Sequence, residues 1–196
     1  MGVTMPLIVD KEAIKLDVMQ AFQRLSEQRP LTAISLREIA AEAGMSHSKI
    51  LRYFSDKNSL LVACVHWAGG FLYEQAAKWF DAHHFAEYPS RAAYLDAFLL
   101  HFQTNQPSGV SPRDVVMTCA LSAYSDEIRS AATEEFSRMN DLFCSCLSKE
   151  FGRELSREEV LTISVLFFGI YFSRFNGTIT EKDTFCLATT ICSLME

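Results

Sequence analysis

What this 196-residue chain lacks narrows it quickly. Its longest uncharged apolar run, Val160 to Ser173, is shorter than the roughly 20 residues a hydrocarbon core demands, so neither a transmembrane helix nor a membrane partner is expected. The stretch from Met1 to Leu16 has no basic segment followed by an apolar one; with no export signal to read, the expected compartment is cytoplasmic. Glycine and proline are scarce, at 8 and 5 residues, which excludes collagen-like and low-complexity chains. With 49% hydrophobic and 21% charged residues, the chain has the composition of a globular protein that buries its own core without disulfides or metal.

Catalytic and metal-binding signatures are missing as well. The sequence holds no GxSxG, HExxH, phosphate-cradling glycine loop or dinucleotide fingerprint, and His66, His83, His84 and His101 have no evident nucleophile or ligand partner in sequence. Six cysteines (Cys64, Cys119, Cys144, Cys146, Cys186 and Cys192) form no CxxC pair and read as buried free thiols. Cys144 and Cys146, two apart on a helix, point about 200° apart and cannot chelate one ion from that helix alone. The expectation is a protein with no catalytic site, cofactor or metal.

A net charge of −6 looks wrong for a nucleic-acid binder until it is divided along the chain. Residues 1–60 carry eight Lys/Arg and seven Asp/Glu, a net of +1, which leaves 10 basic and 17 acidic residues, or −7, for the rest. A neutral-to-basic head on an acidic body suits a protein that meets a polyanion at one end only.

Periodicity of 3.6 predicts an all-α chain of about nine helices, with no period-two segment. Ile14, Val18, Ala21, Phe22 and Leu25 share one face of a first helix, about Lys11 to Ser26, closed before Pro30. Ser35 and Glu38 form a capping-box pattern opening a short second helix that stops at Gly44. Ser46 caps a third through Tyr53, and Ser55-Asp56 starts a fourth that runs to about Phe80. Later helices open at Ser90, Ser111-Pro112, Ser125, Ser156 and Thr180, with Gly152 and Asn176-Gly177 as stops. Segments 81–89 and 104–110 are the expected mobile loops. The implied division is a three-helix head, 1–56, and a helical body, 57–196.

Residues 35–54 read as helix, glycine-containing turn, helix, the arrangement that lays a second helix in a major groove. Ala40, Ala43 and Gly44 permit close approach, while Ile39, Met45, Ile50 and Phe54 fix the angle. The polar remainder of the third helix is Ser46, His47, Ser48, Lys49, Arg52 and Tyr53. Hydroxyls and helix-start amides suit phosphate oxygens, His47 or Lys49 can reach base edges, Arg52 and Tyr53 can hold the backbone, and Arg37 can read a guanine bidentately.

The run Ser35-Leu-Arg-Glu-Ile-Ala-Ala-Glu-Ala-Gly-Met-Ser46, with Ile50, Tyr53-Phe54, Lys57 and Leu60-Leu61, resembles the DNA-binding signature of the TetR family of transcriptional regulators over about residues 14–65. The resemblance implies that Ser35 and Lys57 hold phosphates, that Arg37, His47 and Lys49 read bases, and that Tyr53 contacts backbone. Leu51 stands where the family usually has a phosphate-binding tyrosine, and Ser48 where glycine or proline is common. The body carries no signature beyond length and helical character.

In the body, Glu159 to Asn176 is apolar nearly all round and needs burial on both sides. Leu161, Val165, Phe168 and Phe172, with Ile191 on the last helix, are the expected homodimer contacts; a central core helix in a monomer would read the same way. Trp67, Phe71, His101, Met117, Tyr124, Met139 and Phe143 are the candidate lining of a pocket for a small apolar or aromatic ligand, although a bundle needs such residues simply as core. The function expected is a sequence-specific DNA-binding regulator that acts on a pseudo-palindromic duplex as a ligand-released repressor, against the alternative of a helical interaction protein that keeps the head without using it on DNA.

Overall fold

The computed structural model describes residues 10–104, 120–123 and 125–194. Eight α-helices lie among them: α1 Lys11–Gln28, α2 Leu36–Glu42, α3 His47–Ile50, α4 Lys57–Ala82, α5 Arg91–Thr104, α6 Asp126–Phe151, α7 Arg157–Phe175 and α8 Glu181–Leu194. The helix expected from Ser111, residues 105–110 of the expected loop, and Cys119 lie outside the described residues. No described helix is long and apolar enough to cross a membrane. The chain forms two compact units that divide between Cys64 and Val65, within α4.

In the first unit, Asp10 caps α1 by accepting from the amides of Glu12 and Ala13 at 3.0 and 3.1 Å. α1 buries Val18, Ala21, Phe22 and Leu25, Ile39, Ala40, Ile50, Phe54 and Leu60 are buried in the same unit, and α2 packs on both α1 and α3. Between α1 and α2 lies a 3-10 turn, Leu31–Ala33, that the periodicity did not predict; it buries Leu31 and, just beyond it, Ile34. α2 ends in a Schellman motif, with the Gly44 amide donating to Ala41 O and the Met45 amide to Ala40 O at 3.0 and 2.8 Å. Gly44 sits at φ 65°, which only glycine adopts without strain.

The second unit is organised around aromatic rings. Phe98 of α5 stacks on Phe80 at 4.8 Å and meets Trp79, Phe143 and Phe167 within 5.0–5.5 Å. α5 packs chiefly on α8 and also on α7, and α6 packs on α7. α6 closes at Gly152 (φ 65°), and α7 then starts in the Ser156–Glu159 capping box. Arg153 pairs with that same Glu159, and these bonds hold its carboxyl down at about 2.

The segment expected to be a mobile loop, 81–89, is instead tied down. His83 stacks on Trp79 at 4.6 Å, Phe85–Glu87 forms a 3-10 turn, and the Phe85 amide donates to Glu150 Oε2 at 2.8 Å. The anchor is 65 residues away in sequence, out of reach of local turn chemistry. The cysteines also depart from expectation. None of the five described is in a disulfide, but only Cys192 is buried, and Cys186 is exposed because it faces outward on α8.

Candidate nucleic-acid interface

α3 begins where Ser46 accepts from the Lys49 amide at 3.2 Å. The regular helix ends at Ile50, and the chain continues through Tyr53 in tight turns, shorter than the helix expected through Tyr53. Ile50 and Phe54, at 0% and 3% exposure, face the core. Away from them, Ser46, Ser48, Lys49 and Arg52 are exposed, with His47 and Tyr53 half-buried at the margins. Arg37, in the first turn of α2, is exposed too.

The head's carboxylates are largely spoken for elsewhere. Glu12 pairs with Lys15, Glu42 with Arg24 and Glu38 with Arg29. Glu38 is held at about 2 by its bonds from the Ser35 amide and hydroxyl, helped by Arg29. Asp56 is lowered by the Ser59 amide. Among the described residues no carboxylate pairs with Arg37, Lys49 or Arg52, so these three cations carry charge available to a polyanion.

The two residues expected at phosphates from helix starts are already engaged. The Ser35 hydroxyl donates to Glu38 Oε2 at 2.8 Å while accepting from the Glu38 amide, so its one proton is committed. The Lys57 ammonium donates to the Leu31 carbonyl, and burial lowers its pKa. It keeps two further N–H groups. Leu31 as a partner was not foreseeable, since its carbonyl is presented by the unpredicted 3-10 turn.

The body offers a cavity of about 40 Å³ lined by Val65, Ala68, Gly69, Leu72, Ala132, Glu135, Phe136, Met139 and Phe168. Of the five expected pocket residues that are described, only Met139 lines it. Phe143 is at 0% exposure inside the aromatic core, Trp67, Phe71 and His101 are half-buried elsewhere, and Met117 and Tyr124 lie outside the described residues. Burial lowers the His101 pKa. The missed lining had a signal: Val65, Ala68, Gly69 and Leu72 recur at i, i+3, i+4 and i+7, as do Ala132, Glu135, Phe136 and Met139.

Glu135 is the one charged side chain in that wall. It is 8% exposed and accepts from His66 Nδ1 at 2.7 Å and Arg138 at 2.8 Å. It fits because position 69 has no side chain: a Cβ there would lie 2.5 Å from Glu135 Cγ and 2.7 Å from its Cβ. Since the Glu135 Cβ cannot swing aside, Gly69→Ala must push α4 from α6, and a loss of about 1–3 kcal/mol is expected in urea unfolding. Gly70→Ala, with nothing within 4 Å of the new methyl, should stay at or above wild-type stability. Equal midpoints for the two variants would refute the close crossing.

Leu161, Val165 and Phe172 on α7 are 40%, 68% and 49% exposed. Phe168, between them, is half-buried with its ring 4.6 Å from Phe136. Ile191, expected at the same interface, is corrected: at 3% exposure it belongs to its own core, because the outward face of α8 carries Phe185 instead, at 47%.

Residues 19–64 match the family described as bacterial regulatory proteins, tetR family. Over 65 residues the chain is 40% identical to an uncharacterized HTH-type transcriptional regulator of Haemophilus influenzae, a match spanning 32% of this chain and 32% of that protein's length. The fold is shared with solved structures of low identity. Salmonella enterica GusR superposes with TM-score 0.70 at 12% identity, covering 98% of each chain. The reduced form of E. coli NemR gives 0.66 at 18%, covering 91% of this chain and 97% of that one.

Proposed function

We propose, from the match of residues 19–64 to the bacterial regulatory proteins of the tetR family, that the protein is a homodimeric repressor that binds a pseudo-palindromic DNA duplex through α3 and is released by a small apolar or aromatic ligand. The observation that carries this reading is the triad of Arg37, Lys49 and Arg52, without a carboxylate partner among the described residues, around exposed Ser46 and Ser48. Ser46 uses its oxygen as the α3 cap and retains a hydroxyl proton for a phosphate. Arg37, His47 and Lys49 are the base readers in this reading; Ser46, Ser48, Arg52, Tyr53 and the remaining N–H groups of Lys57 hold the backbone. Ser35 contributes by capping α2.

The dimer follows from the exposed α7 stripe, which one protomer leaves in water. Ligand response is assigned to the cavity under α4, the helix that begins at Lys57 in the head and carries four of the lining residues. At about 40 Å³ it holds a water or two, far below the roughly 300–1,000 Å³ of small-molecule sites. A ligand therefore has to prise α4 from α6 and α7, and its differential affinity for the opened form supplies the coupling.

The test is selection of bound duplexes from a random pool by the purified protein, followed by titration of the winner at two salt concentrations. An enriched pseudo-palindrome is expected, with affinity falling roughly a hundredfold between about 50 and 200 mM salt, as about four phosphate neutralisations require. A pool that stays random would move the function to a helical interaction protein that keeps the head but not its use on DNA, a reading to which the exposed Leu51 also lends itself.

A further inference from the structure

Resting on the DNA-binding reading above, we infer that Leu51 reads thymine: its side chain packs on the C5-methyl of a thymine in the major groove and sets the base preference at one position of each half-site. Leu51 is 42% exposed, and among the described residues of the head it is the one large apolar side chain left in solvent. The head core is complete without it, since Ile50 and Phe54 on either side are at 0% and 3%. Its backbone keeps right-handed helical angles, φ −64° and ψ −13°, and its amide donates to His47 O. The residue therefore prolongs the surface of α3, about 40° round the axis from His47.

Its surroundings select the occupant. Ser48, Lys49 and Arg52, all exposed, flank Leu51 on the turn and give it a polar, cationic setting suited to a polyanion rather than to an apolar protein face. On the base edges of the major groove the one apolar group is the thymine methyl. A tyrosine here would bring a hydroxyl to a phosphate; leucine brings no hydrogen-bonding group and can discriminate only through that methyl.

The experiment takes the duplex selected by the full chain and replaces each thymine of the half-sites with uracil, which removes the methyl and leaves the hydrogen-bonding edge intact. Dissociation constants are read by fluorescence anisotropy for the wild type and for Leu51→Ala, whose fold is checked by circular dichroism. One symmetry-related pair of positions is expected to weaken wild-type binding about fourfold per half-site, the value of burying one methyl. In Leu51→Ala the same pair should make no difference. A half-site without thymine, a flat uracil scan, or a uracil penalty unchanged in Leu51→Ala overturns the inference while leaving DNA binding standing. A protein that selects no sequence overturns both.

Discussion

Val165→Glu is expected to yield a monomer that no longer holds an operator. Val165 is the most exposed large apolar residue among those described, at 68%, and stands in line with Leu161 and Phe172 on α7. These residues fall at i, i+4 and i+11, with Phe168 at i+7 completing one seam. Phe168 is drawn inward by Phe136, which leaves Leu161, Val165 and Phe172 as the projecting knobs. In a two-fold interface each substitution appears twice, so the variant places two unpartnered carboxylates in an apolar seam. Breaking charge balance in that way costs several kcal/mol, and the dimer dissociation constant should rise by at least about a hundredfold. Sedimentation equilibrium measures it, with Val165→Ala as the control that keeps the seam apolar. A Val165→Glu protein that associates like the wild type would show that this face is not the interface. Operator affinity should fall with dimerisation, because a monomer brings half the phosphate contacts.

How much of this was legible in the sequence depended on whether the deciding signal was local. Ser35 with Glu38, Ser156 with Glu159, and Gly152 marked helix ends correctly because a cap is read from three or four neighbouring residues. The 3-10 turns at Leu31–Ala33 and Phe85–Glu87 were invisible, since three residues carry no period. The segment 81–89 looked loose because the carboxylate that pins it, Glu150, belongs to a helix far along the chain.

The interface and the cavity divide along the same line. The exposed polar face of α3 could be drawn from spacing alone, because Ile50 and Phe54 identify the inner side. That the Ser35 proton is committed to Glu38 and the Lys57 ammonium to Leu31 could not, as both depend on where side chains settle. Aromatic, Met and His side chains are what the sequence offers as a pocket lining. The cavity between α4, α6 and α7 lies where side chains are small, at Ala68, Gly69 and Ala132. On α8, composition could not say whether Ile191 or Phe185 faces outward, because both sides of that helix carry apolar residues.

Phe143 makes the distinction between lining and core measurable. Its ring is fully buried and stands edge-on to three others, Phe80 at 6.2 Å, Phe98 at 5.5 Å and Phe167 at 5.5 Å. These rings come from α4, α5 and α7, so Phe143 on α6 is where four helices of the body meet. Phe143→Ala removes the apolar burial and leaves a void that rigid aromatic neighbours cannot close, which costs about 3–5 kcal/mol, with edge-to-face pairs adding to the loss. Against a total stability of about 5–15 kcal/mol, such a variant is expected to unfold at far lower urea than the wild type, with the slope of the transition unchanged. Met139→Ala supplies the comparison: also buried, at 3%, but bordering the cavity, it should cost less, because its neighbours already face free space on one side. If Phe143→Ala keeps the wild-type midpoint, the ring belongs to a ligand site after all and the four-helix junction is not where the body's stability resides.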